Sequence, residues 1–190
     1  CKAKNVLLIV DEIQTGLGRT GYNLACEHEG IKPDILILAK TLSGGLMPVS
    51  AVLANNSVMD LIGPGDEGST FGSHPLSCVA ALEVLKVLKE ENLAEKAAKA
   101  GRYLRASLKS MRSPLIKEVR GRGLMIGVEL VHGAEKAKYY CRKLLEQGII
   151  CEKARDNVVR FSPPLNITKE EIDWAMERIE KVFGELGRRG

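Results

Sequence analysis

A carboxylate and an amine each follow an uninterrupted apolar run near the start of this 190-residue sequence. Asp11 comes directly after the run at residues 6–10, and Lys40 comes directly after the run at residues 35–39. Apolar runs without polar alternation are typical of strands buried in a parallel sheet that is covered on both faces. Ligands bind beyond the carboxyl ends of such strands, so Asp11 and Lys40 are expected to face one crevice if the two strands are neighbours.

This pair of groups can support one particular chemistry. A lysine amine forms a Schiff base with an aldehyde, and a carboxylate facing a pyridine nitrogen keeps that nitrogen protonated, which makes the ring an electron sink. The pair therefore indicates pyridoxal 5′-phosphate. Taken singly, Asp11 is more typical of an acid that caps a helix, and Lys40 of a solvated lysine. Because Lys40 follows five apolar residues, its amine is expected to be partly desolvated, which favours the neutral nucleophile.

The elements that position these residues can be predicted from periodicity. A third strand is predicted at residues 49–54, and the polar, glycine-rich segment 63–74 is predicted to be a loop that could hold a site residue. Apolar residues at helical spacing predict helices over residues 75–91 and 93–111. Beyond them, strands and helices alternate up to a last helix, which begins at Thr168 with Glu171 three residues later, as in a capping box.

Four motifs carry a family resemblance. They are DEIQTGLGRTG at residues 11–21, PDILILAKTLSGGLMPVSAVL at 33–53, GSTFGSHPL at 68–76 and RFSPPLNIT at 160–168. In this order they resemble the class III pyridoxal phosphate aminotransferases of fold type I, over nearly the whole chain. The resemblance implies an α/β fold: residues 1–95 would be the C-terminal part of a large domain with a mostly parallel sheet, and residues 96–190 a small α/β domain.

The resemblance also implies roles for individual residues around the cofactor ring. Asp11 would hold the pyridinium nitrogen, and Gln14 would hydrogen-bond the 3-oxygen of the ring. Lys40 would be the Schiff-base lysine, and it would also carry the proton between the substrate carbon and the cofactor. Glu12 is expected to serve structure only.

The loop at residues 63–70 imitates a phosphate-binding P-loop, but it has Ser69 where that motif has lysine, and its two acidic residues would repel a triphosphate. Thr70 matches a threonine that, in the family which this chain resembles, reaches across a homodimer to the cofactor phosphate of the other subunit. Ser69 lies beside Thr70 in the sequence. Shared active sites in a homodimer are therefore expected. The sequence departs from the family at Ser73 and His74, where Gly-Asn is common; His74 is expected to be a helix-entry residue, with an extra polar contact as the alternative.

The substrates are implied by the resemblance as well. Arg160 matches the arginine whose planar fork clamps the carboxylate of glutamate or 2-oxoglutarate. The expected reaction moves the δ-amino group of ornithine to 2-oxoglutarate, giving glutamate 5-semialdehyde and glutamate. Acetylornithine or another ω-amino acid is the alternative donor.

A hypothesis from another class of function is that the chain is a non-catalytic fragment. The sequence begins at Cys1, and the upstream half of the family is expected to supply the phosphate-cradling turn, the aromatic that stacks on the ring and the glutamate that switches Arg160. The isolated chain is then expected to bind the cofactor weakly.

Composition excludes several other classes of function. The net charge of +4 is dispersed, so nucleic-acid binding has little support. No apolar run reaches the length needed to cross a bilayer, so no membrane association is expected. The five cysteines lack C-x-x-C spacing, which indicates free thiols, no metal site and a reducing compartment. We expect a cytoplasmic location, with the mitochondrial matrix as the eukaryotic alternative.

Overall fold

The computed structural model describes residues 1–187, with side chains described up to residue 184. It divides into two compact units, of which the first spans Cys1–Leu93 and the second begins at Ala94. The predicted boundary lies two residues further along the chain. The assignment of these units to a large and a small domain stays a prediction.

The first unit contains a three-stranded sheet and two α-helices. The strands lie in the order β1-β2-β3, with β1 parallel to β2 and β3 antiparallel to it. Leu17, Leu38 and Leu42 form a small buried cluster, and α2 packs against a 3-10 helix at Lys40–Ser43. The elements are β1 (Ile9–Asp11), β2 (Ile35–Leu38), β3 (Ala51–Ala54), α1 (Asn56–Met59) and α2 (Pro75–Glu90).

The prediction that the first apolar run is a buried strand is wrong for this structure. Only its end forms β1, and Val6, Leu7 and Ile9 are more than half exposed. β1 is an edge strand with β2 as its single neighbour in the sheet. Among residues 1–187 no element covers the apolar side chains of this run, and burial depends on such a cover as well as on composition.

The second unit is a four-stranded antiparallel sheet with three helices. Its strands lie in the order β4-β5-β7-β6. Alternate residues of β5 are buried, and they pack with the apolar faces of the helices in one core that includes Leu104, Tyr140 and Phe183. The elements are α3 (Leu93–Ser110), β4 (Ile116–Arg122), β5 (Met125–Leu130), α4 (Ala137–Glu146), β6 (Glu152–Arg155), β7 (Val158–Phe161) and α5 (Lys169–Gly187).

The predicted start of the last helix is confirmed. The Thr168 amide donates to Glu171 Oε2 at 2.8 Å, and the Glu171 amide donates to Thr168 Oγ1 at 3.2 Å. Two backbone donors that a helix leaves without partners are thereby satisfied. The apolar side of α5 then enters the core through Ile172, Met176 and Ile179. No helix within the described part of the chain is long and apolar enough to span a bilayer.

Candidate active site

The sheet register brings Asp11 and Lys40 to the same edge. β1 and β2 run parallel, with Asp11 opposite Ile37, and Lys40 follows two residues after the end of β2. The two strands are therefore neighbours, which is the condition on which the expected crevice depends. Because the carboxyl ends of parallel strands open at one edge of a sheet, the carboxylate and the amine leave the sheet on the same side.

Lys40 has an unusual backbone conformation. Its φ of 48° places it in the left-handed region, which costs a non-glycine residue roughly 1–3 kcal/mol and persists only where the surroundings impose it. The preceding residue, Ala39, is extended, and its carbonyl accepts a hydrogen bond from Leu42 N at 3.1 Å. The sharp turn between β2 and the 3-10 helix therefore directs Lys40 away from the sheet. Such strained positions are concentrated at functional sites.

The expectation that the Lys40 amine is partly desolvated is wrong for this structure. Lys40 is exposed, and it stands at the rim of a cavity of about 830 Å³. The five apolar residues before it lie along the strand, so they do not surround its amine. Desolvation of this amine would need a further wall, which the described residues do not provide.

Asp11 is the last residue of β1, and Gln14 lies on the turn that follows. The Asp11 carboxylate accepts a hydrogen bond from Ile13 N at 2.9 Å, which gives the turn a local partner. Both side chains are exposed, and neither lines the cavity at Lys40. Their roles toward a cofactor ring stay predictions.

Glu12 anchors this turn from inside the protein, as the prediction of a structural role requires. It is 2% exposed, and its carboxylate accepts hydrogen bonds from Thr15 Oγ1 at 2.8 Å, Ala25 N at 2.9 Å and Cys26 N at 2.7 Å. Its amide donates to Ile37 O at 2.9 Å, which extends the pairing of β1 with β2 by one residue. The backbone next to Asp11 is therefore held on both sides.

The same contacts shift the acidity of Glu12. Burial alone raises the pKa of its carboxyl, but the donors at Ala25, Cys26 and Thr15 together outweigh burial and hold the pKa below its ordinary value of 4.5. A carboxyl with a lowered pKa stabilises the folded state above its ordinary pKa. This contribution is lost as the pH falls through the lowered value.

Replacing Glu12 with glutamine is expected to reduce the free energy of unfolding by about 1–2 kcal/mol at pH 7, since an amide cannot accept all three hydrogen bonds as an ionised carboxylate does. Urea unfolding at pH 7 and at pH 3 measures this difference, which should shrink at the lower pH. Glu27→Gln is the matched control because Glu27 is exposed in the neighbouring 3-10 helix. An equal loss in both variants would contradict the anchoring role.

The cavity beside Lys40 is lined by the two glycine-rich segments and by α2. Ser43 is fully buried, its hydroxyl donates to Met47 O, and Met47 N donates back to Ser43 Oγ at 3.2 Å, which shapes one wall. Ser77 Oγ of α2 donates to Pro48 O at 3.3 Å and ties that wall to the helix. These two serines were missed by sequence reasoning. The Ser-Gly-Gly run before Met47 is the one signal that pointed to a shaped turn here.

Ser69 and Thr70 differ in their placement. Ser69 lines the same cavity as Lys40, whereas Thr70 is exposed and does not line it. Asp66 closes the preceding loop on itself, because its Oδ2 accepts from Gly63 N at 2.7 Å. This contact uses the carboxylate for a turn, which agrees with rejecting the P-loop. A role for Thr70 toward another subunit stays a prediction.

His74 indicates whether a polar ligand fits this cavity. It is the residue before α2, it lines the cavity, and its Nδ1 is buried with no hydrogen-bond partner in the part of the chain that the structure describes. A buried polar atom of this kind normally has a partner. A cofactor or substrate oxygen would supply one. The cavity therefore offers an amine, a hydroxyl and an imidazole to a polar ligand, and the donor set fits pyridoxal 5′-phosphate.

Arg160 belongs to the second unit. It lies on β7 opposite Glu152 of β6, and its guanidinium forms an ion pair with the Glu152 carboxylate. Sequence reasoning missed Glu152 as its partner. The signal was present in the hairpin pattern, since the turn at residues 156–157 brings positions 152 and 160 across from each other. The guanidinium that is predicted to bind a substrate carboxylate is thus already paired with a carboxylate of its own unit.

Throughout residues 1–187, no three His, Cys, Asp or Glu side chains are grouped so that they could hold a metal ion.

Comparisons with known proteins define the class of this protein. Residues 1–183 match the family described as aminotransferase class-III. The chain belongs to this family, and the α/β fold predicted for it is confirmed.

The similar proteins include several ornithine aminotransferases. That of Bacillus subtilis is 50% identical over 183 residues, covering 96% of this chain and 45% of that protein. A structure of the ornithine aminotransferase from Toxoplasma gondii has a TM-score of 0.95 at 48% identity, covering 100% of this chain and 45% of that one. An acetylornithine aminotransferase structure from Elizabethkingia anophelis has a TM-score of 0.92 at 45% identity, covering 97% of this chain and 49% of that one. The chain thus spans less than half the length of these relatives.

Proposed function

We propose that this chain carries the lysine and the ring-nitrogen carboxylate of an aminotransferase site that uses pyridoxal 5′-phosphate. In the complete enzyme, the site would transfer the δ-amino group of ornithine to 2-oxoglutarate, giving glutamate 5-semialdehyde and glutamate. The observation that carries the proposal is the parallel pairing of β1 with β2, which directs Asp11 and Lys40 from the same edge of one sheet.

The residues that would hold the cofactor come from the first unit. They are Asp11, Gln14, Lys40, Ser69 and Thr70. When bound, pyridoxal 5′-phosphate supplies an electron sink that makes a neighbouring C–H bond acidic. Lys40 Nζ would take up that proton and return it to the product, and the Asp11 carboxylate would hold a proton on a facing ring nitrogen. Gln14, Ser69 and Thr70 would orient the group by hydrogen bonds.

We propose ornithine as the amino donor, and not acetylornithine or another ω-amino acid, because ornithine aminotransferases are prominent among the similar proteins. Arg160 would bind the carboxylate of 2-oxoglutarate through its planar fork. That step requires Glu152 to release the guanidinium with which it is paired. We further propose a homodimer in which Thr70 contributes to the site of the other subunit.

A second candidate is that this chain alone is not catalytic. It is favoured by the exposure of Lys40 and of the apolar residues around β1. The two candidates differ in what the chain does by itself.

Borohydride labelling separates these candidates. The 190-residue chain and a full-length enzyme that contains it are titrated with pyridoxal 5′-phosphate, reduced with borohydride and mapped by peptide mass spectrometry. Full-length protein is expected to be labelled at Lys40 stoichiometrically, and the isolated chain only weakly. Tight labelling of the isolated chain at Lys40 would overturn the second candidate. Labelling of the full-length protein at a different lysine would overturn the proposed function.

Initial rates test the donor. The full-length enzyme is expected to prefer ornithine to N-acetylornithine in kcat/KM by at least about tenfold, a ratio that corresponds to roughly 1.4 kcal/mol of differential transition-state binding. Both rates are measured with 2-oxoglutarate as acceptor. A preference for the acetylated amine would reassign the donor while leaving the aminotransferase chemistry in place.

A further inference from the structure

Lys40 has a left-handed backbone conformation although its own side chain is exposed. An exposed side chain makes few packing contacts, so the constraint on this conformation comes from the residues that follow in the chain. One hydrogen bond closes the turn across Lys40, since Leu42 N donates to Ala39 O at 3.1 Å. The contacts that fix the 3-10 helix at Lys40–Ser43 therefore determine where the Lys40 amine stands.

Ser43 holds the far end of this 3-10 helix. It is 0% exposed, its hydroxyl donates to Met47 O, and Met47 N donates to Ser43 Oγ at 3.2 Å. One side chain thus satisfies both polar groups of the Met47 backbone and closes the loop at residues 43–47. Leu42, the residue before Ser43, is buried in the cluster that contains Leu17 and Leu38.

Contacts with α2 fix the same loop at two points. Gly44 ends the 3-10 helix with a φ of 66°, and a Cβ built there would lie 3.1 Å from Val84 Cγ2. Ser77 Oγ of α2 donates to Pro48 O at 3.3 Å. The Ser43 hydroxyl spans the loop between these two points, so the loop and α2 form one rigid support.

We propose that Ser43 is a positioning residue for Lys40, because its two hydrogen bonds to Met47 stabilise the left-handed conformation that keeps the amine at the cavity. Two neutral hydrogen bonds contribute a net free energy of the same order as the strain of one left-handed residue. Without the hydroxyl, the backbone of Lys40 relaxes and its amine turns away. Ser43 does not itself line the cavity. The inference rests on the proposed function, which uses this lysine.

Amide hydrogen exchange of the 190-residue chain, followed by NMR, tests the inference without a cofactor. In Ser43→Ala the Met47 amide loses its acceptor directly. The Leu42 amide reports the turn across Lys40, and it should exchange at least about fivefold faster than in the wild-type chain. Ser57→Ala is the matched control, since Ser57 is exposed in α1, and it should change neither rate.

The Glu12 amide separates a local effect from a general loss of stability. It donates to Ile37 O in the sheet, so its exchange should change less than that of Leu42. Faster exchange at Met47 with an unchanged rate at Leu42 would overturn the proposal. Equal acceleration at Leu42 and Glu12 would overturn it as well, because Ser43 would then stabilise the whole unit and not the turn.

The full-length enzyme shows whether this positioning matters for the reaction. Ser43→Ala is expected to lower kcat by about fivefold, in proportion to the molecules in which Lys40 keeps its conformation, and to leave the KM for 2-oxoglutarate unchanged. The pH at which the absorbance of the bound cofactor changes should also move. Ser43→Thr keeps a hydroxyl on the same carbon and should restore both quantities, with thermal unfolding as the check that each variant is folded.

Two outcomes distinguish a failure of this inference from a failure of the proposed function. Borohydride labelling of the wild-type enzyme at a lysine other than Lys40 would contradict the proposed function. Labelling at Lys40 together with wild-type kcat and absorbance in Ser43→Ala would overturn only the role of Ser43.

Discussion

Lys40→Ala is expected to lower the kcat of the full-length enzyme by at least about 10³-fold, because general acid–base transfer alone contributes 10²–10⁴-fold and the nucleophilic amine is lost as well. The substitution removes the amine that follows β2 at the rim of the cavity. It should also abolish labelling by borohydride at this position. The measurements are the rate of transamination and the absorbance of the bound cofactor.

Lys40→Arg is the matched control for this prediction. Arginine keeps the positive charge, the stem and the left-handed backbone position, but its guanidinium stays protonated and is a poor nucleophile. The activity of this variant should be as low as that of Lys40→Ala. Turnover at the wild-type rate in either variant would remove Lys40 from the chemistry, and recovery of activity in the arginine variant alone would show that only its charge is needed.

Gly101→Ala is expected to destabilise the second unit by at least about 2 kcal/mol, the range found when a packed interior receives extra atoms. Gly101 is buried in α3, and a Cβ built there would lie 1.9 Å from Gly123 O and 2.2 Å from Gly123 C. Both of these atoms belong to the backbone of the turn between β4 and β5, so a side-chain rotation cannot relieve the overlap. The helix must move away from the sheet, which separates apolar contacts throughout the core.

Thermal unfolding of the full chain measures this effect. A loss of this size should lower the Tm of the second unit by roughly 10 °C, given the entropy of unfolding of a unit of about this length. Gly184→Ala is the control, since Gly184 lies in α5 and a Cβ there would meet no atom within 4 Å. Alanine at that position should stabilise by about 0.5–1 kcal/mol through helix propensity alone. Equal melting temperatures for both variants would contradict the close approach of α3 to the turn.

Several features could be predicted because they depend on residues close together in the chain. The capping box at Thr168 acts over one helical turn, and the helical periodicity after Pro75 repeats within the helix itself. The apolar run before Lys40 likewise predicts β2 without reference to the rest of the molecule. Family motifs are also local, so the lysine and the carboxylate could be named from the sequence.

Other features could not be predicted because they depend on which segments become neighbours. The same kind of apolar run predicts a buried strand at residues 6–10, where the structure has exposed side chains around β1. Burial needs a cover, and a run of apolar residues does not specify one. The desolvation expected for the Lys40 amine is wrong for the same reason.

The sequence by itself therefore determined the order of strands and helices, the family motifs and the identity of the amine and carboxylate at the sheet edge. Only the tertiary structure decided which groups meet: Glu12 with the amides of Ala25 and Cys26, Glu152 with Arg160, and Gly101 with the turn at Gly123. Each of these contacts joins segments whose approach is set by strand register and core packing. Both are properties of the whole folded unit, because a shift of one residue in register moves every side chain of a strand to the opposite face.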